Sequence, residues 1–64
     1  MKIEINTGNA AFHAPYGYDE SMDNYATARE LKDIFSSICN HIKAGRTEGV
    51  CMDYNGNQVG TWEL

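Results

Sequence analysis

A few residue groupings in this chain are of types that could do chemistry, and their spacing decides each case. Asp53-Tyr54-Asn55-Gly56-Asn57 places Asp, Asn and Asn at positions one, three and five, as a calcium loop does. That loop needs Gly at its sixth position and a bidentate Glu at its twelfth, where this chain has Gln58 and Leu64. The same residues suit a tight turn, and a turn is the reading adopted. His13, Cys39, His41 and Cys51 match the ligand count of a Cys2His2 zinc site. Cys39 and His41, however, lie two apart in a segment that reads as helix, so they diverge by about 200° and cannot share a metal. Cys39 reads instead as the edge of the core and Cys51 as a strand residue on an open sheet face. Neither a metal nor a disulfide is expected.

Ser37 and His41 stand one helical turn apart, without a Gly-x-Ser-x-Gly elbow and with no acidic residue placed to orient the imidazole. Asp19, Glu20 and Asp23 crowd together in a loop, without the apolar setting that would raise a carboxyl pKa. No Gly-rich phosphate loop precedes the helix, and a chain this short has little material for a cleft. The expectation is a non-enzymatic protein without cofactor.

These groups must be positioned by few elements. Sixty-four residues form one small domain, 1–64, near the lower limit for a core held without staples. An apolar fraction of 42% and a single proline argue for a folded chain. The formal charge of −4 and pI near 4.8 argue against a phosphate-binding nucleic-acid protein and favour a basic protein partner or simple solubility. Two cysteines are too few for a secreted disulfide scaffold, and neither a signal sequence nor a membrane span is read. A cytoplasmic setting is the expectation.

The segment Asn24 to Gly45 carries Ala28, Leu31, Phe35, Ile38 and Ile42 at steps of three and four, the spacing of one helix face, with Ile34 and Cys39 widening it. Asp23 and Asn24 can cap its start, and Thr27-x-x-Glu30 offers a capping box. Gly45 can close its end in the left-handed conformation. Before the helix, Met1–Asn6 alternates as a half-buried strand, and Phe12 anchors the chain's return to the core. After it, Val50–Tyr54 and Gln58–Leu64 read as a hairpin. A two-residue turn at Asn55-Gly56 would send Trp62 and Val59 to opposite faces. A three-residue loop pairing Asp53 with Asn57 puts Val50, Met52, Gly60, Trp62 and Leu64 on one face, and is preferred because it buries Trp62.

The expected fold is α+β, β-α-β-β: a three-stranded antiparallel sheet of order 1-3-2 with one long helix on one face. The expected core is Ile3, Ile5, Phe12, Leu31, Phe35, Ile38, Ile42, Val50, Met52, Trp62 and Leu64. The second sheet face would stay open to solvent or a partner, and an exposed sheet edge makes a homodimer an alternative to a monomer. The stretch 13–23, HAPYGYDESMD, has no period, and it is long for so small a domain. Its Tyr16, Tyr18, Asp19, Glu20 and Asp23 are the candidate partner-binding residues, since loops carry function and tyrosines suit interfaces.

The tail DYNGNQVGTWEL, with NAAF near the start and ARELKDIFSSICNHIKAG between, resembles a family of small uncharacterised proteins encoded by phages and conjugative elements of Gram-positive and gut bacteria. The resemblance implies a bacterial, mobile-element context and carries no activity with it. The expected role is a small protein-interaction or accessory protein, acting through the open sheet face and the 13–23 loop. Alternatives are an acidic inhibitor of a host nucleic-acid-acting or defence enzyme, and single-stranded nucleic-acid binding in which Tyr54 stacks on bases.

Overall fold

The computed structural model describes residues 1–13 and 21–64, and of residues 21–23 the backbone only. The described elements are β1 (Lys2–Ile5), a 3-10 turn (Ala10–Phe12), α1 (Ser21–Lys43), β2 (Glu48–Met52) and β3 (Gln58–Glu63). They build an antiparallel three-stranded sheet of order β1-β3-β2, with α1 packed against β2. This is the expected α+β arrangement, with the C-terminal strand central.

Helix α1 ends as its sequence requires. Gly45 takes φ +96°, its N–H donates to the Ile42 carbonyl at 2.9 Å, and the Arg46 N–H donates to the His41 carbonyl at 3.0 Å. This double closure satisfies carbonyls that the last turn would otherwise leave open. The start differs from expectation. The helix already runs from Ser21, so Thr27 and Glu30 lie inside it and form no capping box. Both are used in tertiary contacts instead. The Thr27 hydroxyl donates to the Phe12 carbonyl at 2.8 Å, and Glu30 Oε1 accepts from the Tyr54 N–H at 2.8 Å.

Those two bonds fix the rotation of α1. The buried row is Ala26, Glu30, Ile34 and Ile38, with Leu31 and Ile42 partly buried beside it. Phe35, expected in the core, is 43% exposed, and Ala28 and Cys39 also face solvent. The stripe keeps Leu31, Ile34, Ile38 and Ile42 but is turned by about 70° from the apolar spacing read in sequence, toward Ala26 and Glu30. The aromatic side chains of the core are Phe12, which is fully buried, and Trp62.

The hairpin has the expected three-residue loop. Asp53 pairs with Asn57, the Gly56 N–H donates to the Asp53 carbonyl at 3.1 Å, and Gly56 has φ +83°. The expected face is nevertheless wrong, because a β-bulge follows. Cys51 is opposite Gly60 while Met52 is opposite Gln58, which leaves Val59 as an extra residue on β3. A bulge puts consecutive residues on the same side and restores the alternation one step out of phase. Val59 and Trp62, three apart, are therefore both buried, and so are Cys51 and Asp53. Val50 and Met52 turn outward, half exposed, while Ile3 and Leu64 are also at the surface. Cys51, expected on the open face, belongs to the core.

Two glycines make this packing feasible. A Cβ at Gly49 would lie 2.7 Å from Trp62 Nε1, so the indole occupies that space. A Cβ at Gly60 would collide with the Glu4 carbonyl oxygen of β1. No helix among the described residues is long and apolar enough to cross a membrane.

Candidate interaction surface

The groupings with catalytic types are dispersed or occupied. Asp53 is buried under the hairpin turn. Its Oδ1 accepts from the Asn55 and Asn57 N–H groups at 2.9 and 2.8 Å, and its Oδ2 accepts from Asn9 Nδ2 at 2.7 Å and Asn57 Nδ2 at 3.4 Å. Burial pushes its carboxyl upward, but the donors on Asn57, Asn9 and Asn55 outweigh that and hold it below the ordinary aspartate value. Asn9 is also the cap of the 3-10 turn, accepting from the Ala11 N–H at 3.0 Å. Asp53 is thus a structural clamp between the hairpin turn and the segment that seats Phe12.

Asp33, Ser37 and His41 line one groove between α1 and β2. Asp33 is an acid on the expected serine–histidine row, but eight residues of helix set it about 12 Å along the axis from His41, too far to orient the ring. The imidazole Nδ1 instead approaches Arg46 Nη1 at 3.5 Å. Cys51 is buried and burial raises its thiol pKa, whereas Cys39 is an exposed thiol on the outer side of α1. Four of the loop candidates, Tyr16, Tyr18, Asp19 and Glu20, lie outside the described residues. Asp23 lies in the first turns of α1, its side chain likewise outside the description.

What the fold does assemble is an outer sheet face. Strand pairing lays Lys2, Glu63 and Glu48 across it in one row and Glu4, Thr61 and Val50 in the next, with Met52 beyond. An open depression of about 500 Å³ is lined there by Lys2, Glu4, Arg46, Glu48, Thr61 and Glu63, together with Gly49 and Trp62. Lys2 Nζ lies 3.2 Å from Glu4 Oε1, the sole ion pair among the described residues. Both partners are well exposed, so it adds little stability. Glu63 stands between Lys2, an opposite-charge cross-strand neighbour, and Glu48, a like-charged one that works against the sheet.

The other outer surface is the back of α1. At 100° per residue, Tyr25, Arg29, Lys32, Ser36, Cys39 and Lys43 fall within an arc of about 80° opposite the buried row. Arg29, Lys32 and Lys43 make up three of the five Lys and Arg in the chain, and none of them forms an ion pair among the described residues. The sheet layer therefore has an excess of carboxylates, Glu4, Glu48 and Glu63 against Lys2 and Arg46, and the back of α1 an excess of cations.

Compared with protein-family models, curated proteins and solved structures, the chain matches none.

Proposed function

We propose that this is a small non-enzymatic interaction protein that docks a basic protein surface on the outer face of its sheet. The observation that carries the reading is the pairing of Val50 and Met52, both half exposed, with the opposed carboxylates Glu48 and Glu63. Val50 and Met52 put adjoining apolar side chains in water, and Glu48 faces Glu63 with only Lys2 on the far side to offset it. A partner with cations around an apolar centre would satisfy both. The depressions on the surface are open, which supports docking over catalysis.

The cytoplasm of a bacterium, and a gene carried by a phage or conjugative element, are the setting proposed for it, on the resemblance alone. The same acidic face favours, as a second reading, an inhibitor that occupies the basic surface of a nucleic-acid-acting or defence enzyme. Single-stranded nucleic acid is the weaker candidate, since Glu4, Glu48 and Glu63 would repel phosphates.

The test is affinity capture from the encoding organism, followed by direct binding with the purified partner. Binding should weaken with added NaCl, disappear in Val50→Glu/Met52→Glu and persist in Tyr16→Ala/Tyr18→Ala. Loss in the tyrosine variant with retention in the sheet variant would move the working surface to the 13–23 loop.

A further inference from the structure

We infer that one partner for the acidic sheet face is the basic back of α1 on a second copy of this chain, joined head to tail. The inference rests on the proposed docking face and names what fits it. Charge complementarity is the first support: Glu4, Glu48 and Glu63 outnumber Lys2 and Arg46 on one outer layer, and Arg29, Lys32 and Lys43 outnumber the flanking Asp33 on the other. Each layer also has exposed apolar side chains beside its charges. Val50 and Met52 are 50% and 45% exposed on the sheet, while Phe35 is 43% exposed on the helix, in a hollow shared with Lys32, Cys39 and Lys43.

The dimensions agree. Lys32 and Lys43 are separated by about 16 Å of helix, and three strands of about five residues present a face of about 15 by 17 Å. A cation from the second copy would lie against the opposed Glu48 and Glu63, relieving the repulsion that the isolated sheet carries. Asp33, the described acid nearest the basic arc, lies one helical turn beyond Arg29, on the flank that also lines the groove toward β2. Edge pairing is the less favoured route to a dimer, because β1 and β2 are short and carry Lys2, Glu4 and Glu48.

Because the two faces differ, the contact is heterologous and adds further copies unless the ring closes. A face of this size is below that of a permanent interface, so association belongs at about millimolar protein and low salt.

Sedimentation equilibrium on the full chain tests this. At about 1 mM in low salt, the weight-average mass should exceed the 7.2 kDa monomer by about 1.5-fold or more, and return to it in high NaCl. Lys32→Gln/Lys43→Gln and Glu48→Gln/Glu63→Gln should each be monomeric alone, with unchanged circular dichroism. Mixed in equal amounts they retain one intact face each, and should form a 1:1 dimer and nothing larger. A wild type that stays monomeric in low salt overturns the self-recognition, while capture of another protein on the sheet face would still uphold the docking reading. A dimer that survives both Gln variants would also overturn it, and would point to edge pairing.

Discussion

Asp53 shows how a single side chain holds two segments of this small domain together. It is buried, yet accepts hydrogen bonds from Asn9, Asn55 and Asn57, so its carboxylate is stabilised in the fold and its pKa lies below the ordinary value. The sign follows by linkage. A lowered folded pKa contributes stability that is fully present above the unfolded value, near pH 4, and is lost as pH falls through the folded value. Urea midpoints measured from pH 6 to pH 2 should fall through that window, and Asp53→Asn should flatten this part of the profile while lowering stability at pH 6. An unchanged profile in the variant would remove Asp53 as the clamp. Phe12 is the residue this clamp seats. Phe12→Ala should cost about 3–5 kcal/mol in urea unfolding, most of what a domain of this size is expected to have.

At the scale of elements, two helix-end and strand features lead to distinct outcomes. Gly45 has open space around its missing Cβ, so Gly45→Ala should cost only the left-handed conformation, about 1 kcal/mol. Gly60→Ala, which drives a methyl into the β1 backbone, should lose cooperative unfolding altogether. The thiols report the bulge. Cys39 should be alkylated by iodoacetamide in the folded protein, and Cys51 only once the protein unfolds. Equal rates for the two would contradict the placement of Cys51 beneath α1.

The same elements show how far the sequence could be read. The order of elements, the helix, its Gly45 closure and the Asp53-to-Asn57 turn follow from local spacing and turn chemistry, and the sheet order follows from simple connection rules. The bulge at Val59 does not. Its signal is the conflict between two bulky residues, Val59 and Trp62, that lie three apart and both demand burial. Choosing between two regular registers left out the irregular one that satisfies both. The helix rotation was hidden for a similar reason: it is set by Glu30 and Thr27, polar residues whose long-range partners, the Tyr54 amide and the Phe12 carbonyl, leave no trace in apolar periodicity.

At the scale of the whole molecule, those two shifts create the surface to which function is assigned. The bulge turns Val50 and Met52 outward beside Glu48 and Glu63, and the rotation sets Phe35 among Lys32 and Lys43. If the opposed glutamates are kept for binding, Glu48→Gln should raise the melting temperature of the dilute monomer by about 2 °C while weakening association. The most direct test is an amide NMR dilution series at low salt. Concentration-dependent shifts should gather at Glu48, Val50, Met52, Thr61 and Glu63 and at Arg29, Lys32, Phe35 and Lys43, and vanish in high NaCl. Shifts absent throughout, or confined to residues 14–20 or to the β1 edge, would contradict the two-faced account.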